Sequence, residues 1–535
     1  MRGGIKLATV FFAPLPGFFL MMASGEKGEW RQWGGNSENN NVATEEGVLL
    51  EWGRFKKIRG TDDFEKAEGL KWWAGVNSHG YRGLHAAPPV VTQGMVLAGS
   101  NNEDGYVPHV ADLDAGTLLC FREEDGEFLW QHTSERLEVG KVSDWEYMAV
   151  SASPCVEGDT LWWVTNRCEV VCLDLHGFRD GENDGPVQDE RWTTEMDSDV
   201  IWSLDLREEF GVFPHNFTSS SPTILGETVF VSTGNGVDWR HGEVPFPDAP
   251  SLVALDKRTG KLLWEGHGPG ANTLDGSWTS PAVGRFEDGP QVIFAGGDGW
   301  VYGFDPAGDG DGGGKVLWKF DVNPKTSKAW QKENERSNIV VNPVVSGGRV
   351  FVVLGDDPEH GFGQGRLVCI DPGKRGDVSP TLVFNRADPT EVIPHKRLLA
   401  CDAEAGDFER PNLNSAEVWH YAEIDRCCGS PVISNGLLFI ADLAGVLHCL
   451  DVESGLPHWR ASMDANVTAT PLVVEGNVIV GTGDGDVFVF RCSAEPAAAE
   501  PVFVADFPGA VYAPAIAAGG VLYISTSWML FAISE

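Results

Sequence analysis

Two acidic loops carry the residues whose spacing is most typical of metal binding. One is DGENDG, from Asp180 to Gly185, and the other is DPAGDGDGGG, which contains Asp305, Asp309 and Asp311. Alternating side-chain oxygens of this kind are typical of calcium loops, although neither loop has a glutamate at the twelfth position. Acidic, glycine-rich hairpin turns are the alternative interpretation, and the missing glutamate favours it.

A pair of adjacent cysteines and two loop histidines complete the set of reactive side chains. Cys427 and Cys428 stand in DRCCGSP, where they could form a strained vicinal disulfide or pack as two thiols. His215 and His360 stand in polar, glycine-containing segments that are typical of loops. A single loop histidine is usually solvated, so neither one indicates a site by itself.

Several common catalytic motifs are absent from the sequence. There is no CxxCH, so a covalently attached c-type haem is excluded. There is also no HExxH, no GxSxG and no GxxxxGK[ST]. These absences remove the commonest zinc protease, serine hydrolase and P-loop interpretations.

The net charge limits the possible partners. The formal charge of the 535 residues is -38 at pH 7, which creates a strongly negative field around the protein. Such a field repels phosphate backbones and anionic lipid surfaces, so the sequence argues against a nucleic-acid partner.

The positions of the candidate residues depend on a sequence motif that is repeated along the chain. SLVALDKRTGKLLW ends at Trp264, and variants of it end at Trp130, Trp318 and Trp459. Each variant is a strand, a turn with Asp or Gly, and a second strand that ends in tryptophan. A small residue fills one slot of the first strand, where we expect it to face a neighbouring sheet. These residues are Cys120, Cys172, Ala254, Gly303, Cys369 and Cys449.

A second phrase precedes each copy of the first. It begins with a small or polar residue and proline and continues as an apolar strand, a glycine-containing turn and another apolar strand. The eight anchors are Ala87-Pro88, Ser153-Pro154, Ser221-Pro222, Ser280-Pro281, Asn342-Pro343, Ser430-Pro431, Thr470-Pro471 and Ala513-Pro514. The shortest intervals between prolines are 40 and 43 residues, which is the period of a four-stranded propeller blade.

These repeats predict an all-β fold, an eight-bladed β-propeller of four-stranded antiparallel blades. Seven blades are the alternative if one long interval holds no complete blade. The chain ends before the last blade has its tryptophan-bearing strand, and LKWWAG, with Trp72 and Trp73, is expected to supply that strand and close the ring. The propeller would then span residues 70–535, with residues 26–69 as an N-terminal arm.

The alternation of these two phrases over residues 70–535 resembles the repeat of the pyrroloquinoline quinone (PQQ) propeller family. This family contains quinoprotein alcohol dehydrogenases and also non-enzymatic propellers of outer-membrane assembly. The resemblance implies the fold, whereas function must be argued from the site.

The dehydrogenase branch implies roles for particular residues. Thr233-Gly234-Asn235 followed by Trp239 is similar to the segment whose asparagine binds calcium, which makes Asn235 the candidate metal ligand. Asp275 stands where the family has its catalytic base, and Trp239 or Trp278 would flank the quinone. Cys427 and Cys428 are similar to the cysteine ring that covers the cofactor, although they stand later in the chain. No second carboxylate ligand is evident, because Glu169 lies within a strand repeat.

The sequence leaves two functions open. The first is an exported propeller that binds a protein or small ligand in the cell envelope through funnel loops, especially the insertion 372–418. The alternative is a dehydrogenase that depends on PQQ and calcium. Export follows from residues 1–25, where Arg2 and Lys6 precede an apolar run and small residues, as in a signal peptide. That apolar run is too short for a membrane span, so a periplasmic or extracellular location is expected.

Overall fold

The computed structural model describes residues 28–56, 58, 64–65, 67–77, 87–138, 146–216, 218–329, 336–355 and 363–535. The proposed signal peptide and His360 lie outside these residues. The described chain is all-β and is built mainly from four-stranded antiparallel sheets, as in a β-propeller. Its one α-helix is Leu206–Phe210, and its short 3-10 helices are Trp33–Gly35, Gly177–Asp180, Gly270–Asn272 and Pro496–Ala499.

Eight sheets follow one another along the chain, and we number them 1 to 8, each from its innermost strand. Sheet 1 contains Val90–Thr92, Met95–Asn101, Ala115–Arg122 and Phe128–Glu135, and sheet 2 contains Cys155–Glu157, Thr160–Val164, Glu169–Asp174 and Val200–Asp205. Sheet 3 contains Thr223–Leu225, Thr228–Ser232, Leu252–Asp256 and Leu262–Gly266. Sheet 4 contains Ala282–Phe286, Gly289–Ala295, Trp300–Phe304 and Val316–Asp321, with Gly376–Asp377 added in parallel at its edge.

The later sheets repeat this order. Sheet 5 contains Val344–Ser346, Arg349–Val353, Leu367–Ile370 and Glu417–Tyr421, and sheet 6 contains Val432–Ser434, Leu437–Ala441, Val446–Asp451 and Pro457–Ser462. Sheet 7 contains Leu472–Val474, Asn477–Gly481, Asp486–Arg491 and Phe503–Asp506. Sheet 8 contains Ile516–Ala518, Val521–Ser525 and Met529–Ile533, and its fourth strand is Leu70–Gly75 from the other end of the chain.

In every sheet except sheet 7, a tryptophan of the outer strand links its sheet to the next one. Trp130 of sheet 1 donates its indole N–H to the Leu175 carbonyl of sheet 2, and Trp202 and Trp264 donate to Lys257 and Pro306 in the same way. Later equivalents are Trp419 to Val452, Trp459 to Ser493, and Trp72 to Glu123. Each acceptor lies in the turn after the third strand of the next sheet, so buried indoles both fill the gap between sheets and satisfy their one donor there.

Sheet 4 makes this link through an intermediary. Trp318 donates to Oε1 of Gln291, and the amide of Gln291 donates to the Pro372 carbonyl, which is the equivalent turn of sheet 5. Pro372 begins the long insertion. The relay therefore keeps the connection where the turn has been enlarged.

The small-residue slot is explained by this same tryptophan. Cys120 lies opposite Trp130, and Gly303 lies opposite Trp318, where an added Cβ would come within 2.2 Å of the indole nitrogen. The slot is therefore small because the indole of its own sheet covers it. The slot also faces the neighbouring sheet, as predicted, because Sγ of Cys449 lies 3.8 Å from the Ser493 carbonyl of sheet 7.

The glycine of the repeated turn leaves space for the ring of the tryptophan in the preceding sheet. Gly260 has φ +67°, and a Cβ there would lie 2.5 Å from the Trp202 ring. Gly455 stands in the same relation to Trp419. Only glycine combines a left-handed backbone with this close approach.

Residues 28–43 of the N-terminal arm run across the innermost strands. The backbones of Trp30 and of Val91 in sheet 1 form two hydrogen bonds with each other. The side-chain amide of Asn40 forms two hydrogen bonds with the backbone of Ile433 in sheet 6. Asn39 donates to the Pro343 carbonyl, and Asn41 donates to the Pro471 carbonyl. One short segment thus ties several sheets together near their centre.

The insertion 372–416 connects the third and fourth strands of sheet 5. It contains a three-stranded sheet of Thr381–Asn385, Asp388–Val392 and Asp407–Pro411. Within the described residues, no helix is both long and apolar enough to cross a membrane.

A buried ionic cluster connects the insertion to sheet 4. Asp321 accepts hydrogen bonds from Lys325 and Arg336 at 2.8 Å each, and His395 of the insertion accepts one from the Trp300 indole. Burial opposes ionisation of Asp321, but the two cations outweigh it and lower its pKa to about 2. Burial also lowers the pKa of His395 to about 3, so this imidazole is neutral at pH 7.

Asp298 lies at the edge of this cluster without a cation of its own. Its carboxylate accepts a 2.6 Å hydrogen bond from the Tyr302 hydroxyl, and its Oδ2 is 4.0 Å from Nε2 of His395. Burial raises the pKa of Asp298 to about 6, because the hydrogen bond from Tyr302 only partly offsets the loss of solvation. Ionised Asp298 is therefore a cost to the folded state at neutral pH.

Replacing Trp72 tests the link between sheets 8 and 1. Trp72 is 4% exposed, so Trp72→Ala should lower the free energy of unfolding by about 3–5 kcal/mol through the cavity and the lost hydrogen bond. Chemical denaturation measures this loss. Trp239→Ala removes a tryptophan that is 40% exposed and should cost at most about 1 kcal/mol. Equal losses for the two variants would contradict the link.

Asp298→Asn tests the raised pKa. The unfolded carboxyl titrates near 3.8 and the folded one near 6, so the wild type loses stability as the pH rises between these values. The substitution removes this loss, and the stability of Asp298→Asn relative to wild type should increase by on the order of 2 kcal/mol from pH 4 to pH 7. Urea unfolding at both pH values measures it, with the exposed Glu453→Gln as the control for one lost charge. An unchanged difference between the two pH values would show that Asp298 is not perturbed.

Candidate functional site

Six of the eight proline anchors line one channel, and several neighbouring anchors hydrogen-bond to one another. The backbone N–H of Ser153 donates to Oγ of Ser221, that of Ser221 donates to Oγ of Ser280, and that of Ser280 donates to Oδ1 of Asn342. Farther round, the N–H of Ser430 donates to Oγ1 of Thr470. Ser221, Ser280, Asn342 and Thr470 are thus acceptors for the preceding sheet, whereas the hydroxyls of Ser153 and Ser430 donate to the Pro88 and Asn342 carbonyls.

The channel is narrow and polar. About 420 Å³ of empty space, part of it open to solvent, lies between these anchors, Trp33 of the N-terminal arm, Trp278 and Cys428. The hydroxyl and amide groups on its wall are largely engaged with the neighbouring backbone. This channel therefore offers few directed groups for a large planar cofactor.

Asn235 lies in the loop after the second strand of sheet 3, and its amide is committed to the backbone. Its Oδ1 accepts from the Phe213 N–H at 2.9 Å, and its Nδ2 donates to the Phe246 carbonyl at 3.0 Å. The left-handed position in this turn is taken by Gly234, at φ +74°. Asn235 holds two loop segments together.

Asp275 lies beside two imidazoles. Its Oδ1 is 3.1 Å from Nε2 of His215 and 3.4 Å from Nδ1 of His241. The Asp275 and His215 side chains are 2% and 1% exposed, whereas His241 is 38% exposed and faces the surface. Burial lowers the pKa of His215, although the Asp275 carboxylate opposes that effect.

The sequence indicates only part of this cluster. It singled out Asp275 and His215 separately and missed His241, which stands two residues after Trp239 in the segment DWRHG. The available signal was the short spacing between His241 and the loop that holds Asn235. The spacing alone does not indicate a site, because the sequence does not show that the loops of sheets 3 and 4 lie side by side.

The two candidate tryptophans have different positions. Trp278 is buried and donates its indole N–H to the His215 carbonyl, with ring centroids 6.1 Å apart. Trp239 is partly exposed, and its ring meets Phe213 edge-on at 5.7 Å. Trp278 therefore supports the cluster from inside, while Trp239 forms part of the protein surface.

Arg397 of the insertion connects the loops of this site. Its guanidinium donates to the carbonyls of Thr273 at 2.7 Å and Gly242 at 2.6 Å. Burial lowers its pKa, with Asp238 and Asp275 opposing the change. The insertion thereby fixes the loop of His241 against the loop of Asp275.

Cys427 and Cys428 are not joined in a disulfide, so the thiol alternative describes them in this structure. Cys427 is fully buried, and burial raises its pKa well above the usual range. Cys428 reaches the wall of the central channel. Of the two, only Cys428 could meet a molecule in the channel.

These residues do not fit a calcium-held quinone. Calcium needs six to eight oxygen ligands, whereas Asp275 is surrounded by two imidazoles and the Asn235 amide is engaged with the backbone. Trp278 is 1% exposed, and its indole N–H is committed to the His215 carbonyl.

The acidic loops behave mainly as turns. Oδ1 of Asp309 accepts from the backbone N–H groups of Asp311 and Gly313, and Asp305 pairs with Lys315. These hydrogen bonds lower the pKa of Asp309. Asp180 and Asp184 lie near Asp174, but Asp180 is exposed to solvent and Asp184 is only partly buried.

Comparisons with known proteins agree with this architecture. Among solved structures, a europium-containing methanol dehydrogenase is 12% identical with a TM-score of 0.51, covering 93% of this chain and 89% of that one. The quinohemoprotein alcohol dehydrogenase ADHIIG from Pseudomonas putida HK5 is 11% identical with a TM-score of 0.51, covering 96% and 81%. BamB from Moraxella catarrhalis is 13% identical with a TM-score of 0.47, covering 86% and 100%. At these identities the likeness to the two dehydrogenases concerns the fold alone.

Sequence comparisons add a distant relative and a family. The serine/threonine-protein kinase AfsK of Streptomyces griseus is 25% identical over 183 residues, and the match covers 32% of this chain and 22% of that protein. A PQQ-repeat family model described as outer membrane protein assembly factor BamB matches residues 114–311 and 404–495, which is more than half of the chain. The chain therefore belongs to this BamB-like PQQ-repeat family.

Proposed function

We propose that this protein is an eight-bladed, ring-closed β-propeller that binds a protein partner in the cell envelope through loops on one face. Eight consecutive sheets support the blade count. Closure is supported by the pairing of Trp72 with Ala532 and by the bond from Trp72 to Glu123, which connects the last sheet to the first. A closed ring leaves few exposed sheet edges, so partners must meet its loops.

The observation that carries the binding role is a cluster of exposed apolar side chains on well-supported loops. Trp239, Phe246 and Leu398, which we call the aromatic loop face, are 40%, 50% and 49% exposed. Phe246 is held through its carbonyl by Asn235, and Leu398 follows Arg397, which binds the loop of Trp239. Rigid, exposed aromatic residues are the usual centres of protein interfaces, because little conformational entropy is lost when they bind.

The charge of the chain indicates what kind of partner fits. A net charge of -38 attracts positively charged surfaces and repels acidic ones. We therefore expect the partner to present a basic segment with apolar side chains to the aromatic loop face. The words "outer membrane" and "assembly factor" in the family description support a partner of the envelope.

Export is part of this proposal. The charged, apolar and small-residue order of residues 1–25 predicts a signal peptide, and a periplasmic or extracellular location follows from it. Alkaline phosphatase without a signal peptide of its own can be fused after residue 25. If the prediction is correct, residues 1–25 will export this enzyme, and its activity will be found outside the cytoplasm. A fusion that stays in the cytoplasm would contradict it.

A photo-crosslinking amino acid at Phe246 tests the docking surface on the full chain in an envelope extract. We expect one basic protein to be captured from position 246 and not from Val504, which is similarly exposed on the outer strand of sheet 7. With that partner purified, Trp239→Ala should raise Kd about 30-fold, as for the loss of about 2 kcal/mol at an interface centre. Leu413→Ala, at a fully exposed loop residue, should leave Kd unchanged.

Two results would overturn the docking proposal. One is equal capture from positions 246 and 504, and the other is undiminished binding of the partner by Trp239→Ala.

The dehydrogenase alternative is tested separately by adding PQQ and Ca²⁺ to the purified protein. Dye reduction with an alcohol in that mixture would favour the enzyme over the binding protein.

A further inference from the structure

We infer that His215, His241 and Asp275 bind one divalent transition-metal ion of the zinc class. Their donor atoms all lie within 4.8 Å of one another. The three residues come from separate loops, before the first strand of sheet 3, after its second strand, and before the first strand of sheet 4. The site is therefore created by the packing of two neighbouring sheets.

The two distances from Asp275 to the imidazole donors match a tetrahedral ion. Oδ1 of Asp275 is 3.1 Å from Nε2 of His215 and 3.4 Å from Nδ1 of His241. Two ligands held about 2.0–2.1 Å from a tetrahedral zinc ion lie roughly 3.3–3.4 Å apart. Both distances from Asp275 are thus close to this value, and the two imidazole donors lie within 4.8 Å of each other.

The hydrogen bonding of His215 directs a lone pair toward Asp275. Nδ1 of His215 lies 3.0 Å from the Val237 carbonyl, which can only accept, so this nitrogen carries the proton. In the neutral imidazole Nε2 is then an acceptor, and it faces a carboxylate oxygen, which is also an acceptor. Metal-bound histidines characteristically donate their other N–H to a backbone carbonyl in this way.

The carboxylate of Asp275 is equally open to a cation. It is 2% exposed, and neither of its oxygens has a hydrogen-bond donor among the residues that the structure describes. A buried carboxylate without donors is costly, because it has lost its hydration and gained no replacement. A bound cation would satisfy this carboxylate and the lone pair of His215 together.

His241 is placed by a strained but well-supported turn. Its φ is +56°, which is uncommon for a residue other than glycine. The turn is held by Asp238, whose carbonyl accepts from the His241 N–H and whose side chain accepts from the Gly242 N–H. This support positions the exposed ligand beside the two buried ones.

Close packing fixes the other two ligands. A Cβ at Gly236 would lie 2.7 Å from both the Asp275 carbonyl and Cβ of His215, so only glycine lets these segments approach. Trp278 donates to the His215 carbonyl at 3.0 Å. Arg397 then joins the loops of His241 and Asp275 from outside.

The donor chemistry selects the class of ion. Two imidazole nitrogens and one carboxylate suit Zn²⁺, Co²⁺ and similar ions, whereas Ca²⁺ prefers oxygen ligands alone. Three protein ligands leave at least one coordination position for water or another ligand. The exposure of His241 places that position near the surface.

Metal binding to the full chain tests the inference. The protein, stripped with a chelator, is dialysed against Co²⁺ or Zn²⁺, and bound metal and the visible absorption of Co²⁺ are measured. We expect one tightly bound ion with a tetrahedral Co²⁺ spectrum. His241→Gln and Asp275→Asn should each raise Kd at least tenfold and abolish that spectrum.

His109→Gln is the matched control, because His109 forms a single histidine–aspartate pair with Asp197 at 3.0 Å and lacks a second imidazole. It should bind metal as the wild type does. If Asp275→Asn fails to fold, His241→Gln decides alone, since its side chain is partly exposed. Absence of bound metal, or binding that His241→Gln leaves unchanged, would overturn the inference.

Discussion

The architecture depends on one contact, which is the tryptophan that bridges each sheet to the next. The indole ring packs into the gap between two sheets, and its N–H donates to a carbonyl of the following turn, as Trp130 does to Leu175. A sheet buried on both faces needs a side chain large enough to fill that gap, and a buried indole also needs an acceptor. Both needs are met by the same residue, so the motif must recur in nearly every sheet.

Departures from this rule show what it requires. At sheet 4, Gln291 relays the hydrogen bond of Trp318 to Pro372, at the start of the insertion. Sheet 7 has Phe503 in place of the tryptophan, and Trp52 of the preceding arm packs against it with ring centroids 4.9 Å apart. The gap is filled in both cases, although the residues that fill it differ.

A frame of this kind can hold strained residues in place in its loops. His241 has a left-handed backbone, and Asp275 is buried beside His215 without hydrogen-bond donors among the described residues. These features persist because Arg397, Trp278 and Gly236 fix the surrounding backbone. The insertion therefore has a structural role at the candidate site, in addition to adding exposed surface.

The sequence by itself determined the all-β fold and the repeating unit, because strand periodicity, turn glycines and tryptophan spacing are local patterns. It also indicated that Leu70–Gly75 could pair with the last strands, since the final repeat lacked one strand. The sequence placed the small-residue slot on the face toward the neighbouring sheet, but it did not show that the tryptophan of the same sheet covers that slot.

Tertiary structure alone decided the site. His215, His241 and Asp275 are 26 and 34 residues apart in sequence, and only the packing of two loops brings their donors within 4.8 Å. It also decided that Asn235 serves the backbone, since both halves of its amide meet partners from other segments. Local sequence fixes which strands form, whereas contacts between distant loops depend on how the sheets are arranged around one another.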